Sequence, residues 1–143
     1  MQTVPFGIQL YVLAMYEVEF VEKELKSLKL DKHQFLYIII ASIYPGIVQS
    51  VIAQYFNVNK STSGRMIAKL IDRGYLRREK TENHRDFHIF LTELGESLKN
   101  RIFESVSRYE NILLEQVDDK EALKQNVFVA FSSAATSRKG GKK

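Results

Sequence analysis

From Phe6 to Leu28 the apolar positions Ile8, Tyr11, Val12, Met15, Val18, Leu25 and Leu28 recur at helical spacing with no breaker after Gly7, which predicts a long first helix. Leu10, Leu13, Tyr16 and Phe20 fill the opposite side of its first half, so that half must bury two faces. A second helix is expected from Asp31 through Phe35, Leu36, Ile38, Ile39 and Ile43, ended by Pro45-Gly46. The run Ile38-Ile39-Ile40 alone would suit a strand, but its length and flanks favour buried helix. Val48 to Phe56 predicts a short third helix, and Asn59, after the turn Asn57-Val58-Asn59, is the expected N-cap of a fourth. That fourth helix, Lys60 to Arg73, turns Met66, Ile67, Leu70 and Ile71 inward and stops at Gly74, which leaves Lys60, Ser61, Ser63, Arg65 and Lys69 outside.

The pattern then changes period. Tyr75-Leu76-Arg77-Arg78-Glu79 and Phe87-His88-Ile89-Phe90-Leu91 are strand-like runs on either side of the polar loop 80–86, which predicts a two-stranded hairpin. Thr92 caps a fifth helix of about 25 residues, with Leu94, Leu98, Ile102, Val106, Tyr109, Leu113 and Val117 at steps of three and four. After Asp118-Asp119 a sixth helix carries Leu123, Val127, Ala130, Phe131 and Ala134 and is expected to end near Ser137. The fold class is therefore mostly α with a small β-hairpin.

Composition narrows the picture. A chain of 143 residues with 45% hydrophobic residues is expected to form one soluble domain with a real core. There is no cysteine, so disulfides, thiolate metal sites and thiol chemistry are excluded. The first charged residue is Glu17 and the first basic one Lys23, so the apolar N-terminus lacks the positive region of a secretory signal and the protein is expected in the cytoplasm. The longest uncharged stretch, His33 to Phe56, is broken by Pro45-Gly46 and makes a poor membrane span.

The net charge of +4 is unevenly placed. Residues 57–85 hold eight Lys/Arg against three Asp/Glu, whereas residues 1–32 hold four against five and residues 86–137 five against nine. The remaining excess lies in Arg138-Lys139-Gly140-Gly141-Lys142-Lys143, expected to be a basic, disordered tail. A field of one sign confined to one block is the footprint of a surface that meets a polyanion, though a solvated basic face would look the same.

Three helices, the last with a capped start and a polar outward face, followed by a hairpin with a basic turn describe a winged helix-turn-helix. The fourth helix would set its N-terminal residues against base edges in the major groove while the hairpin reaches the neighbouring backbone or minor groove. In the run Val58 to Arg78, and in Leu91-Thr92-Glu93-Leu94-Gly95 at the hairpin-to-helix junction, the chain resembles the MarR family of transcription regulators, over residues 6 to about 137. The resemblance implies a homodimer whose N- and C-terminal helices intertwine, with a winged-helix lobe at about 31–91 and dimerisation helices at 1–30 and 92–137. It also implies a small-molecule crevice between the two parts. One departure stands out: Asn83 occupies the place of the family's Asp two residues before the wing arginine, which Arg85 matches, and Asp86 follows.

The candidate DNA contacts are Gln49 and Ser50 in the third helix, Lys60, Ser61, Thr62, Ser63, Arg65 and Lys69 in the fourth, and Arg77, Arg78, His84 and Arg85 in the hairpin. Thr62 either reaches DNA or lies buried against the third helix, and Arg78 is either a phosphate contact or a structural partner at the base of the wing. His84 and His88 are four apart, but on a hairpin with no cysteine and only Asp86 nearby they do not make a metal site, and no cofactor is expected. Tyr11, Tyr16, His33, Tyr37 and Tyr109 are candidates for lining an effector crevice, suited to a phenolic ligand, against the plainer reading of aromatic core. No nucleophile with a base, phosphate loop or metal spacing supports an enzyme. The expected function is a dimeric DNA-binding regulator, a repressor released by a small ligand, with a winged-helix interaction or non-specific DNA-binding module as the alternative.

Overall fold

The computed structural model describes residues 3–140, with side chains to residue 137. The elements run α1 (Phe6–Glu24), a 3-10 turn (Lys26–Leu28), α2 (Phe35–Ile43), β1 (Ile47–Val48), α3 (Gln49–Phe56), α4 (Lys60–Asp72), β2 (Leu76–Lys80), β3 (Phe87–Leu91), α5 (Glu93–Leu113) and α6 (Lys120–Gly140). They divide into two compact units at the bond between Tyr109 and Glu110, so α5 is shared by both.

In the first unit the core gathers one stripe from each element: Val21 of α1, Phe35 and Ile38 of α2, Ile52 of α3, Ile67 and Leu70 of α4, Leu76 and Ile89 of the strands, Leu98 and Ile102 of α5. The strands form one antiparallel sheet in the order β1-β3-β2, with Ile47 opposite Ile89, Leu76 opposite Leu91 and Arg78 opposite Ile89. Strand β1 was not expected. Two residues are too short to show alternation, and Val48, read as helical, is extended at φ −74° and ψ 135°.

The connector from α1 to α2 also differs from expectation. Helix α1 ends at Glu24 rather than Leu28, and α2 begins at Phe35 rather than after Asp31. Lys29 and His33 both take left-handed φ, 51° and 66°, which no continuous right-handed helix accommodates. Tertiary bonds hold the connector in that form. Arg73 at the end of α4 donates to the carbonyls of Leu28 (2.5 Å) and Lys29 (3.4 Å), and Asp31 pairs with Lys69 of α4 at 2.6 Å. The buried Gln34 amide accepts from the Asp31 N–H (2.9 Å) and donates to the Met66 carbonyl (3.2 Å). Helix α5 begins one residue after Thr92, whose hydroxyl accepts from the Gly95 N–H at 3.0 Å, and it stops at Leu113, short of Val117.

The second unit holds the end of α5 and α6. Asp119 caps α6 by accepting from the Ala122 N–H at 2.9 Å, and Lys124 lies 4.0 Å from Glu110. The α6 backbone stays helical to Gly140; residues 141–143 and the side chains after residue 137, where the basic tail was expected, lie outside the described residues. No helix among the described residues is long and apolar enough to cross a membrane.

Candidate nucleic-acid interface

Helix α4 is set by its cap. The Asn59 carboxamide oxygen accepts from the Thr62 N–H (2.7 Å) and from the Ser61 hydroxyl (2.8 Å), satisfying donors that a helix start leaves open. Ser63, Ile67 and Leu70 form the buried row, so Ser61, Arg65 and Ala68 face the other way and are exposed with Lys60 and Lys69. Ser63 was expected outside and is only 1% exposed: it shares the helical row of Ile67 and Leu70, so its hydroxyl cannot reach DNA. Thr62 is half-buried, with Arg65 Nη2 3.5 Å from its hydroxyl.

Gln49 and Ser50, half-buried at the start of α3, line a cleft of about 150 Å³ together with Ala53, Lys60, Arg85 and Asp86. The cleft thus brings together the first turn of α3, the first residue of α4 and the wing. Gln49 leans on α4, its amide nitrogen 3.4 Å from where a Cβ on Gly64 would stand.

The wing tip is organised from within. The Thr81 N–H donates to the Asp86 carbonyl (3.0 Å) and the His84 N–H to the Thr81 carbonyl (2.9 Å), with His84 exposed at φ 56°. Asn83 accepts from the Thr81 hydroxyl (2.9 Å) and from the backbone N–H of Arg85 (3.1 Å). The residue that departs from the family pattern therefore shapes the turn that carries Arg85 and leaves its guanidinium alone. Asp86 accepts from the Phe87 N–H at 2.8 Å and also lines the cleft beside Lys60 and Arg85. His88 Nδ1 contacts the Gly46 carbonyl at 2.8 Å, a structural tie between β3 and the turn before β1, and no group of metal-binding side chains forms among the described residues.

Two of the eight cations in the basic block pair with carboxylates and a third, Arg73, with backbone carbonyls. Lys69 pairs with Asp31, Arg73 binds the connector carbonyls and lies 5.3 Å over the Tyr75 ring, and Arg77 pairs with Glu79 at 2.6 Å. Lys60, Arg65, Arg78, Lys80 and Arg85 have no carboxylate partner among the described residues and are all exposed. Lys69 is thus placed at the connector end of α4, held away from the first turn where base edges would be read. The sequence showed Asp31, Phe87 and Phe90 only as parts of a helix start and a strand, and Gln34 not at all, because periodicity does not show which side chain meets a partner from a distant part of the chain.

The crevice candidates are not gathered around one cavity within the first unit. Tyr37 is 4% exposed and packs on Phe56 with ring centroids 5.1 Å apart, the aromatic-core arrangement that was the plainer of its two readings. Tyr109 stacks on Phe20 (5.4 Å), its hydroxyl donates to the Leu13 carbonyl (3.4 Å), and burial together with nearby Glu17 keeps its phenol protonated beyond the ordinary range. Tyr11 and Tyr16 stand exposed on α1, and His33 is exposed in the connector, its N–H donating to Glu22 at 2.7 Å. A cavity of about 240 Å³ lies instead beside Leu25, Lys26, Lys29, Leu30 and Phe35.

A three-helix lobe ending in a capped helix, closed by a three-stranded sheet with a protruding basic hairpin, defines a winged helix-turn-helix protein. Comparison with known proteins agrees. A family model described as the MarR family matches residues 27–85. The HTH-type transcriptional regulator YybA of Bacillus subtilis (strain 168) is 32% identical over 76 residues, 52% of this chain and 51% of that protein, so the chain matches about half the length of this curated relative. Among solved structures, one of MarR superposes with a TM-score of 0.85 at 24% identity over 98% of this chain and 97% of that one. A MarR transcriptional regulator from Methanosarcina mazei Go1 gives 0.81 at 26% identity, covering 91% and 96%. A MarR family regulator from Listeria monocytogenes, solved with a 26mer DNA, gives 0.78 at 22% identity, covering 100% and 98%. Residues 27–85 of the chain thus match the MarR family model, and the chain shares its fold with these solved MarR structures.

Proposed function

We propose that this chain is a sequence-specific, homodimeric DNA-binding regulator of transcription, acting as a repressor on a pseudo-palindromic operator. The observation that carries the reading is the cleft that joins Lys60 of α4 to Arg85 of the wing beside the start of α3. Asp86 also lines the cleft, but Lys60, Arg65 and Arg85 have no salt-bridge partner among the described residues, on the side where a winged helix would meet a duplex. In this reading α4 enters the major groove with Lys60, Ser61, Thr62 and Arg65 toward base edges. Gln49, Ser50, Arg85 and His84 meet the backbone or minor groove, and Lys69 contributes through the connector instead of by contact. A protein of the same fold from Listeria monocytogenes was solved with a 26mer DNA, which supports duplex DNA as the partner of this fold.

The lobe at about 31–91 reads DNA, and the helices at 1–30 and 92–137 dimerise. Support for the second half is the unpartnered apolar surface of a single chain. Phe6, Ile8, Tyr11, Met15 and Tyr16 on α1 are all at least half exposed, as are Phe128, Val129 and Phe131 on α6. A soluble helix does not expose such a surface without a partner that covers it. A small effector would release the operator by favouring a dimer whose two α4 helices are wrongly spaced, in proportion to its differential affinity for the two forms.

The test is selection of purified protein against a random duplex pool at two salt concentrations, with light scattering for mass. Enrichment of a palindrome by a dimer is expected. Salt-sensitive retention with no enriched sequence refutes operator reading, and a mass near 16.6 kDa at micromolar concentration refutes the dimer.

A further inference from the structure

Arg77 and Arg78 are neighbours on β2, so their side chains stand on opposite faces of the wing ribbon. On one face Arg77 lies opposite Phe90, its guanidinium 4.3 Å from the ring centroid, and two residues along the same face Glu79 accepts from its Nη1 at 2.6 Å. A phosphate approaching Arg77 therefore meets a carboxylate that already satisfies it. The other face is different. It carries Leu76, Arg78 and Lys80 of β2 with Leu91, Ile89 and Phe87 opposite them, and none of these is acidic. Ile89 and Leu76 are buried in the core, so this is the face the ribbon turns toward the helices. Arg78 is exposed, has no carboxylate partner among the described residues, and lies with its guanidinium 4.4 Å from the Phe87 ring centroid.

We infer that Arg78 is the phosphate contact of the outer wing strand, that Phe87 is its positioning residue, and that Arg77 stiffens the wing without touching DNA. The inference rests on the DNA-binding reading above. A guanidinium laid on an aromatic face keeps its N–H edge free for the two parallel bonds a phosphate accepts. The ring also confines a long side chain before binding, which reduces the entropy lost on contact. Lys80, opposite Phe87 on the same face, adds a second positive charge.

Binding to the enriched duplex is measured across salt for the wild type, Arg77→Ala, Arg78→Ala, Arg78→Lys, Phe87→Leu and Phe87→Tyr, with thermal melts to compare folding. Loss of one phosphate contact lowers the slope of log affinity against log salt by about 0.9 per protomer. For a dimer, the wild-type advantage over Arg78→Ala then shrinks by about tenfold between about 50 and about 200 mM salt. Arg78→Lys keeps the slope at lower affinity, Arg77→Ala keeps the slope, and Phe87→Leu loses affinity severalfold while Phe87→Tyr restores it. An unchanged slope for Arg78→Ala, or an equal drop for Arg77→Ala, overturns the inference while leaving DNA binding in place. Absence of salt-dependent binding by the wild type overturns the DNA reading itself.

Discussion

Gly95 is where one methyl group separates a working wing from a displaced one. It lies in the first turn of α5, and a Cβ built there stands 2.1 Å from the Tyr75 carbonyl oxygen and 3.3 Å from Leu91 Cδ2. Real Cβ contacts begin near 3.0 Å, so Gly95→Ala forces the helix start and the strand entry about 1 Å apart. The Tyr75 carbonyl also accepts the Thr92 N–H at 3.1 Å, and the Thr92 hydroxyl bridges the Gly74 carbonyl and the Gly95 N–H. Moving them apart costs about 1 kcal/mol each for the bond and the cap. Overpacking adds about 1–3 kcal/mol, and the helix preference of alanine returns up to about 1 kcal/mol. The net expectation is a loss of about 2–5 kcal/mol, read as a lower urea midpoint at one fixed protein concentration, which holds constant any coupling of stability to self-association. Gly7→Ala is the control: nothing lies within 4 Å of its Cβ, and the change should be neutral or mildly stabilising. A Gly95→Ala protein within about 1 kcal/mol of wild type would refute the close approach.

Other expectations follow from the same geometry. Arg65→Ala should weaken operator binding by about 1–3 kcal/mol, and unchanged affinity would remove it from the reading set. Ser63→Ala should leave DNA affinity alone and raise stability by up to about 1 kcal/mol, because its buried hydroxyl has no hydrogen-bond partner among the described residues; a large loss of binding would put Ser63 back on the surface. Arg85→Ala should lower affinity and reduce the salt slope by about 0.9 per protomer, and an unaltered slope would mean that the wing stays off the DNA. The Arg108 guanidinium, bound to both oxygens of Glu24, holds that carboxyl below its ordinary value of 4.5. The pair therefore stabilises the protein above pH 4.5 and loses that contribution as pH falls through the lowered value. Acid unfolding of Glu24→Gln should converge on wild type at low pH, and a gap that persists there would contradict the assignment.

Helix positions, the Asn59 cap, the Gly74 stop and the hairpin were legible along the chain because each depends on neighbours within one or two turns. Asn59 needs only the open N–H groups that follow it, and apolar steps of three and four mark a face wherever the core lies. The winged-helix class followed from those local signals taken in order, and the resemblance to the MarR family from the run Val58 to Arg78 and the Leu91–Gly95 junction. The interface was legible as a basic block and an outward face, yet its membership was not. Ser63 lay one helical row from where it was expected, and Tyr37 proved to be core.

What the folded chain alone decided is which charges remain available and where the chain turns between elements. Lys69 is cancelled by Asp31 across 38 residues, and Arg73 is drawn to the connector carbonyls 44 and 45 residues away. Those bonds in turn hold the left-handed turns at Lys29 and His33 that end α1 early and delay α2. Strand β1 exists because β3 offers it partners, and pairing of β2 with β3 sets the Arg78 guanidinium over Phe87 and that of Arg77 over Phe90. Local patterns specify elements because backbone hydrogen bonds and side-chain periodicity are short-ranged. Charge pairing and register depend on atoms brought together from distant parts of the chain, and only folding brings them within reach.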